Sequence, residues 1–565
     1  MKILLVAINA KYIHSNLAVY YLKACAPKEQ QEHMEIAEYT INNSKEEIRK
    51  DIYKRQPDVI AVSCYIWNIT MVRELVPELS KVLPKAQIWL GGPEVAYDAT
   101  NVIESLPQIK GVVTGELLIG DGSEFRILTE PQPLLNMDDI PFIYQDLNLK
   151  EFENRIIYYE SSRGCPFSCS YCLSSIEKQV RFRSISLVEK ELQFFLDHRV
   201  PQVKFVDRTF NCSHQHAMAI WNYIKRNDNG VTNFHFEIAA DILNEEELEL
   251  LNTLRPGLVQ LEIGVQSTNP ETIKEIRRTM DFDKLSQIVK RIKKGNNIHE
   301  HLDLIAGLPF EDYHSFIRSF DQVMSLKPEQ LQLGFLKVLK GSFMYEQKEE
   351  YGLVYTSLPP YEVLFTKWLS FDDVLKLKEI EEMVETYYNS NQFRNSLNLL
   401  ENYFDSYFTM YKSLADFYAK SGYTIASPSR IKRYYILFEF VQEAAKTNRK
   451  MQSDHLVLMK MKEQLTIDLY LRENLKSRPD FCTDLTPFKQ QIREFYSEES
   501  QNRFYLKNYE EFNEKQLMRM THMDVIDQNL VLFDYQNRDP LTSDAKIWNV
   551  KSMEVNNDKA NKGNS

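Results

Sequence analysis

The sequence has no stretch of apolar residues long enough to cross a lipid bilayer, for which about 18 consecutive residues are needed. The apolar run at the N-terminus is far shorter and no small-residue cleavage site follows it, so it predicts a first buried strand. We therefore expect a soluble protein of the cytoplasm that has no membrane partner.

Positive charge is not in excess either. The chain has 68 Lys and Arg residues against 80 Asp and Glu residues, which gives a formal net charge of -12. Nucleic acids are bound mainly by basic surfaces, so no general nucleic-acid binding is expected. With 565 residues, 43% of them hydrophobic, the chain is long enough for three globular domains of ordinary size.

Cysteine is scarce, but three of the seven cysteines, Cys165, Cys169 and Cys172, fall within eight residues. Thiolates bind soft metals and iron-sulfur clusters, and a loop with three of them can hold three irons of a cubic cluster and leave the fourth open. A zinc site would need a fourth ligand, yet the nearest histidines are His33 and His198. Zinc, a disulfide and inert buried cysteines are alternatives that this spacing disfavours.

The first 125 or so residues alternate short apolar runs with helical patterns, which predicts a parallel sheet with covering helices. The strands are expected at residues 2–7, 34–39, 59–63, 87–90 and 111–114. Ser63, the Gly91-Gly92-Pro93 turn and Gly115-Glu116 follow the last three strands, where ligands of open α/β sheets bind. The alternative is that these glycines only shape tight turns.

A polar segment that ends at Pro141 predicts a linker, after which a second strand-helix alternation begins. Its strands are expected at residues 156–160, 203–206, 234–238, 259–264, 300–305 and 330–336. Six strand-helix units predict an incomplete barrel, with the cysteine loop at the carboxyl end of the first strand. Asp207, Glu262 and Asp303 lie at or near later strand ends, although each of these segments could be a plain strand-helix junction.

Glycine is almost absent between Gly341 and Trp548, where aromatic and charged residues recur at helical spacing. This pattern predicts a helical domain whose Tyr and Phe stripes form its core. The polar tail from Lys551 to Ser565 is expected to be disordered.

The cysteine spacing, with Arg163-Gly164 before it and Tyr171 before its last cysteine, resembles the signature of the radical S-adenosylmethionine (SAM) enzymes. The resemblance implies that Cys165, Cys169 and Cys172 ligate a 4Fe-4S cluster whose open iron binds SAM. Segments that begin at Asp207, Glu262 and Asp303 are similar to segments of that superfamily. The SAM-binding residues implied in this way are Tyr171, Asp207, Glu262, Gln266 and Asp303.

The N-terminal half is similar to the flavodoxin-like cobalamin-binding domain of the cobalamin-dependent, class B radical SAM enzymes. The cobalamin-binding residues that this implies are His14, Ser63, Gly91, Gly92, Pro93, Gly115 and Glu116. The chain departs from the Asp-x-His-x-x-Gly motif, because the Asp and the Gly are missing around His14. His14 is therefore a candidate axial ligand, a loop residue at the cofactor's edge, or a helix cap.

The C-terminal part resembles an uncharacterised domain attached to one branch of these proteins. The expected fold is α/β: a flavodoxin-like cobalamin-binding domain, a partial (β/α)6 radical SAM barrel, and an all-α C-terminal domain. The corresponding ranges are residues 1–130, a linker at 131–150, the barrel at 151–340, the helical domain at 341–548 and the tail at 549–565.

The implied activity is reductive cleavage of SAM on the 4Fe-4S cluster, followed by cobalamin-dependent methylation or rearrangement of an unactivated carbon. An electron donor such as flavodoxin or ferredoxin is implied as a partner, and the substrate is not identified. A methylthiotransferase is the second candidate, but it needs three further cysteines in a first domain that has only Cys25 and Cys64. A non-catalytic iron-sulfur or metal-binding regulator is the third.

Overall fold

The structure, a computed structural model, describes residues 1–114, 136–146, 155–424, 427–475 and 477–550. The chain forms two compact units. The first comprises Met1–Pro328 and Gln332–Leu375, and the second comprises Glu329–Leu331 and the chain from Lys376 onward. Among the described residues, no helix has the length and apolar character to span a bilayer.

The N-terminal part of the first unit is a five-stranded sheet. Its strands are β1 (Ile3–Asn9), β2 (Met34–Thr40), β3 (Val59–Ser63), β4 (Gln87–Gly91) and β5 (Gly111–Val113). They are parallel and in the order β2-β1-β3-β4-β5, which is the flavodoxin-like order. The strand order reverses between β1 and β3, so a ligand is expected at their carboxyl ends.

The helices of this part follow the strands, and Ser44 and Glu47 form a capping box at the start of the third. They are α1 (Leu17–Cys25), α2 (Lys28–Gln31), α3 (Lys45–Arg55), α4 (Ile69–Val82), α5 (Pro93–Ala96) and α6 (Ala99–Ser105). The apolar faces of α3 and α4 and one face of the sheet enclose a core of buried Val, Leu and Ile side chains.

The second part of the first unit contains a six-stranded sheet and a short ladder beside it. The strands are β6 (Ile157–Tyr159), β7 (Ser162–Arg163), β8 (Arg181–Phe182), β9 (Gln202–Phe205), β10 (Asn233–Ile238), β11 (Val259–Gln266), β12 (His299–Ala306) and β13 (Gln330–Phe335). The sheet order is β13-β12-β11-β10-β9-β6, and the pairs from β6 to β12 are parallel. The predicted α/β fold with an incomplete six-stranded barrel is confirmed.

Helices alternate with the barrel strands, and Asp281 and Asp312 cap the fifth and sixth of them. They are α7 (Ile185–Asp197), α8 (His214–Arg226), α9 (Glu245–Asn252), α10 (Pro270–Glu275), α11 (Phe282–Gly295), α12 (Tyr313–Met324) and α13 (Phe343–Glu346). Along β10, β11 and β12, buried apolar residues alternate with partly exposed polar ones. One face of each strand therefore packs on helices, and the other gives the barrel a polar interior.

The region after the barrel is mainly helical, as predicted. Its helices are α14 (Phe371–Met383), α15 (Arg394–Leu400), α16 (Tyr407–Ser421), α17 (Arg430–Ala444), α18 (Arg449–Ser453), α19 (Val457–Arg472), α20 (Lys489–Asn502) and α21 (Glu514–Met520). Buried tyrosines such as Tyr387, Tyr418 and Tyr434 lie in its core, which agrees with the predicted aromatic stripes.

The description of residues 341–548 as all-α is wrong at both ends. The antiparallel strands β14 (Val354–Tyr355) and β15 (Val363–Phe365) belong to the first unit. The second unit ends in an antiparallel sheet of β16 (Thr521–Ile526), β17 (Asn529–Arg538) and β18 (Ala545–Val550). In the turn between β16 and β17, Asp527 and Gln528 both have a left-handed φ. Glycine usually occupies such positions and signals a hairpin in the sequence, but this turn has none.

An ion pair joins the two parts of the first unit. Arg155, which precedes β6, donates to both carboxylate oxygens of Glu38 on β2 at 3.0 and 3.1 Å, and to the His14 carbonyl at 2.7 Å. Burial raises the pKa of Glu38, but hydrogen bonds from Arg155 and Tyr20 outweigh it and hold that pKa below its usual range. The pair is therefore ionised at neutral pH and fixes the sheet against the first barrel strand.

Replacing Arg155 by Ala leaves the half-buried Glu38 carboxylate without its cation. We expect the free energy of unfolding of the first unit to fall by about 2–4 kcal/mol, measured as a lower thermal midpoint in calorimetry. The control is Arg291→Ala, which removes the exposed Arg291–Glu245 pair and is expected to change little. Equal midpoints for the two variants would contradict the interpretation.

Candidate functional site

The three cysteines lie on a loop that is closed at its base by the two-stranded ladder of β7 and β8. Cys165 and Cys169 are buried and Cys172 is half-buried. Gly164 has φ +98, and a Cβ there would lie 2.4 Å from the Gln179 carbonyl oxygen, so only glycine fits before the first cysteine. The ladder and Gly164 therefore fix the backbone of the loop, which places the thiols at the carboxyl end of the barrel sheet.

Asp207 anchors the base of this loop. Its carboxylate accepts hydrogen bonds from the Ser161 and Ser162 amides at 2.9 and 3.1 Å and from the Ser161 hydroxyl at 2.6 Å. Burial raises the pKa of Asp207 to about 7 despite these bonds. Its oxygens are thus occupied by the loop backbone, so the structure makes Asp207 a positioning residue and gives no support to the predicted contact with SAM.

Two residues that the sequence analysis missed contact the cysteines. Arg278, which follows α10, donates to Cys169 Sγ at 3.8 Å and to the Tyr171 hydroxyl at 3.4 Å, and also to the Gly264 carbonyl. Thr209 Oγ1 lies 3.8 Å from Cys165 Sγ. Arg278 follows Arg277 in the short connection between α10 and α11. Two adjacent arginines in such a connection are typical of a solvated turn, so the sequence did not predict the contact with Cys169.

Inside the barrel, the negative charge of Glu262 is balanced by Lys204 and His235. Glu262 on β11 accepts a hydrogen bond from Lys204 Nζ at 2.9 Å, and its oxygen lies 3.0 Å from His235 Nε2. Burial raises the pKa of Glu262, but His235 and Lys204 outweigh it and lower that pKa to about 2. Lys204 and His235 both contact Oε2 of Glu262, so the negative charge that a contact with SAM would use is already compensated by protein groups.

Asp303 and Gln266 lie closer to the carboxyl ends of their strands than Glu262 does. Gln266 Oε1 is buried without a hydrogen-bond partner among the described residues, whereas Asp303 Oδ1 lies 3.3 Å from His301 Nε2 on the same strand. A β-bulge interrupts the β11–β12 register between Gly264 and Gln266, and Gln266 has φ +71, a strained value for a residue with a side chain. Of the predicted SAM-binding residues, these two are the best placed for a ligand.

Ligand atoms of Glu262, His301 and Asp303 lie within 4.8 Å of one another, as in a metal site. Burial lowers the pKa of His301 to about 4 and raises that of Asp303 well above its usual range. At neutral pH the histidine is therefore neutral, and the raised pKa of Asp303 favours its protonated form. With Lys204 also next to Glu262, this group suits hydrogen bonding to a polar ligand better than binding of a divalent cation.

A cavity of about 360 Å³ lies on the face of the N-terminal sheet next to α1. Its lining is mainly apolar, and Ser63, Gly91 and Gly92 lie on its edge, at the carboxyl ends of β3 and β4. Arg163, two residues before the first cysteine, also lines it. The cavity therefore brings together three of the predicted cobalamin-binding residues and reaches the start of the cysteine loop.

Gly92 has φ +105, and a Cβ there would lie 2.5 Å from the Cys64 carbonyl oxygen. Pro93 is the first residue of α5. Tyr65 and Trp67 follow β3, stack at 4.5 Å with an interplanar angle of 4°, and leave the Trp67 ring exposed. This flat aromatic pair beside the glycine turn was not predicted from the sequence. Gly115 and Glu116 lie outside the described residues.

His14 lies on the loop after β1, bridged to Ile156 next to the first barrel strand. Its Nδ1 is 2.6 Å from the Tyr158 hydroxyl, and burial is the main cause that lowers its pKa. The Tyr158 hydroxyl is thus hydrogen-bonded to one ring nitrogen of His14. In the Asp-x-His-x-x-Gly motif, the aspartate carboxylate would make this bond. Axial ligation by His14 stays a prediction.

Arg181 and Arg183 follow the cysteine loop, and both pair with carboxylates of the protein. Arg181 pairs with Glu177 at 2.7 Å, and Arg183 donates to the buried Glu191 from its Nε at 2.8 Å. Both arginines are therefore structural.

The three thiols fit an iron-sulfur cluster by their chemistry. All seven cysteines are free, and the thiols of Cys169 and Cys172 lie close enough to Cys165 to add to the effect of burial, which raises the pKa of Cys165. Three convergent thiols beside the cation Arg278 suit a cluster with negatively charged ligands. The same residues would not complete a four-ligand zinc site.

Three family models match the chain. The B12 binding domain matches residues 3–117, the Radical SAM superfamily matches residues 159–323, and a protein of unknown function (DUF4080) matches residues 349–546. The last match agrees with the expected uncharacterised C-terminal domain.

Relatives share low identity with the chain. The cobalamin-dependent radical SAM methyltransferase TokK of Streptomyces tokunonensis is 23% identical over 347 residues, which is 53% of this chain and 50% of TokK. An uncharacterized methyltransferase of Pyrococcus horikoshii is 22% identical over 59% of this chain and 77% of its own length. The chain thus spans about half the length of TokK.

Solved structures share the fold. The cobalamin-dependent SAM radical enzyme OxsB, with aqua-cobalamin and SAM bound, gives a TM-score of 0.56 at 13% identity and covers 82% of this chain and 83% of OxsB. The methyltransferase TsrM of Kitasatospora setae, with cobalamin and a [4Fe-4S] cluster bound, gives 0.50 at 15% identity over 63% and 76%. The chain therefore combines a B12-binding domain with a radical SAM domain, and the relatives that match it include the cobalamin-dependent radical SAM methyltransferase TokK.

Proposed function

We propose that this protein binds a 4Fe-4S cluster through Cys165, Cys169 and Cys172, cleaves SAM reductively, and uses cobalamin to methylate or rearrange an unactivated carbon of its substrate. The observation that carries the proposal is the cysteine loop, whose three thiols lie at the carboxyl end of an open parallel barrel beside the buried Arg278. Methyl transfer is the preferred outcome because the relatives named above include methyltransferases.

When bound, the cluster and SAM supply the one-electron cleavage that activates a substrate carbon, and cobalamin supplies a transferable methyl group. The chain's own residues bind and orient. Arg278 offsets negative charge at the thiolates and can also pair with a carboxylate of SAM. Gln266 offers a free polar atom at the same end of the barrel, and Asp303, whose raised pKa favours the protonated form, can donate a hydrogen bond there.

We assign the cobalamin to the carboxyl edge of the N-terminal sheet. The cavity lies at the lower end of the about 300–1,000 Å³ that is usual for small-molecule sites, so it has room for one arm of a corrinoid and not for the whole. The exposed Trp67 ring and the Gly91-Gly92 backbone give the macrocycle a flat surface to lie on.

We further propose that the protein works in the cytoplasm and receives electrons from a small carrier such as flavodoxin or ferredoxin. Seven free cysteines and a thiolate-bound cluster suit a reducing compartment. The methylthiotransferase and the regulator are not favoured, because the first lacks its extra cysteines and the second leaves the open barrel end without a role.

The cysteine prediction is tested by anaerobic reconstitution with iron and sulfide, followed by strong reductant and SAM. The wild type is expected to show the broad cluster absorbance and to form 5'-deoxyadenosine, detected by mass spectrometry. Cys169→Ala is expected to lose both, because three thiolates are needed on one cluster. Ser168→Ala, in the same loop, is the matched control and should behave as wild type. A colourless wild-type protein that leaves SAM intact would refute the proposal.

Asp207 is expected to control how much cluster the loop holds. Asp207→Ala frees the Ser161 and Ser162 amides, so the loop loses its fixed start and the iron content after reconstitution should fall by about tenfold. Asp207→Asn keeps one acceptor oxygen and should retain more iron. Asp197→Ala, at the exposed end of α7, should match the wild type, and an unchanged iron content in Asp207→Ala would count against the anchoring role.

Gly92 is expected to control corrin uptake. Gly92→Ala forces a Cβ to within 2.5 Å of the Cys64 carbonyl, so the turn must shift and hydroxocobalamin binding, followed by its visible spectrum, should weaken by about tenfold or more. In Gly91→Ala the nearest contact is an ordinary 3.6 Å to Val113, so that variant should keep the native turn. Equal binding by wild type and Gly92→Ala would remove this turn from the cobalamin site.

A further inference from the structure

The arginines around the cysteine loop nearly all have partners. The pairs are Arg163–Glu160, Arg181–Glu177, Arg183–Glu191 and Arg278 with the Gly264 carbonyl. Arg208, which follows β9, differs: its side chain is exposed, and within the part of the chain that the structure describes its guanidinium has no ion pair and no hydrogen bond. Exposed arginines without a partner are common on protein surfaces, so a functional role for Arg208 has to be argued from its position.

The backbone of Arg208 is fixed on both sides. Asp207 before it is buried and bound to the base of the cysteine loop. Thr209 after it donates to the Arg208 carbonyl at 2.9 Å and lies 3.8 Å from Cys165 Sγ. Arg208 is therefore attached to a rigid part of the site, one residue away from a side chain that contacts a cluster ligand.

The guanidinium interacts electrostatically with groups on both sides of the proposed site. Burial raises the pKa of Tyr65, on the loop after β3, and Arg208 acts in the opposite direction. Burial and Glu262 likewise raise the pKa of Glu237, on the inner face of β10, and Arg208 again opposes them. Tyr65 belongs to the stacked pair at the edge of the N-terminal sheet and Glu237 to the barrel interior, so the positive charge of Arg208 acts on both the proposed corrin surface and the barrel.

We propose that Arg208 binds an anionic group of the substrate, a carboxylate or a phosphate. The inference rests on the proposed function, because it assumes that the substrate lies between cobalamin and SAM. A guanidinium presents paired N–H donors that match these groups in a bidentate geometry. Arg278 already supplies the cation that touches Cys169 and Tyr171, which leaves Arg208 available for a different anion.

The test is calorimetric titration of the holoenzyme, loaded with cluster, cobalamin and SAM, with inorganic phosphate and separately with acetate. The wild type is expected to bind one of these anions saturably, and Arg208→Gln to bind it at least about tenfold more weakly. Arg208→Lys keeps the charge but not the paired donors, so it should give an intermediate affinity. The matched control is Arg226→Gln on the outer helix α8, which should leave the affinity unchanged.

Anions of the cofactors are the rival occupants, and the same variants separate them. Arg208→Gln should keep the wild-type iron content, hydroxocobalamin spectrum and SAM affinity. If it loses SAM affinity or corrin binding, Arg208 serves a cofactor and the inference is wrong. It is also wrong if Arg208→Gln binds phosphate and acetate as the wild type does, or if the wild type binds neither. A wild type that forms no cluster or leaves SAM intact would instead refute the proposed function.

Discussion

The hydrogen bonds between the Asp207 carboxylate and the Ser161 and Ser162 amides hold the site together, because they join the end of β9 to the start of the cysteine loop. The barrel can position the three cysteines only if the first residues of their loop are fixed to it. The ladder of β7 and β8 closes the loop, and Gly164 turns it toward the sheet. The carboxylate is buried for this purpose at a cost that appears as its raised pKa.

Charge compensation divides the polar residues of the barrel into two groups. Glu262, with Lys204 and His235, is neutralised by protein groups in the interior. Gln266, nearer the open end, has an acceptor atom without a partner among the described residues, and Asp303 Oδ1 lies 3.3 Å from His301 Nε2. Buried polar atoms without partners are costly, so a ligand that supplies the missing hydrogen bonds is stabilised there. Sequence position alone does not distinguish these groups, since both lie on the same strands or on adjacent ones.

The strands of both sheets could be read from the sequence, because buried parallel strands are short apolar runs bounded by turn residues, as at Val59–Ser63. The cysteine trio could be read from its spacing. Arg278 and Thr209 could not, because their contacts with Cys169 and Cys165 depend on how distant segments fold together. The terminal hairpin was missed because Asp527 and Gln528 adopt left-handed conformations without a glycine to signal them.

The two arginines near the cysteines differ in what surrounds them, and this difference separates their roles. Arg278 is largely enclosed, and the Tyr171 hydroxyl and the sulfur of Cys169 outweigh burial and raise its pKa, so it is a permanent cation beside the cluster loop. A partly desolvated cation next to thiolates is stabilised by them. Arg208 remains in contact with water, which costs little in the free enzyme. An anion that displaces part of this water pairs with the guanidinium more strongly than it would in bulk solvent.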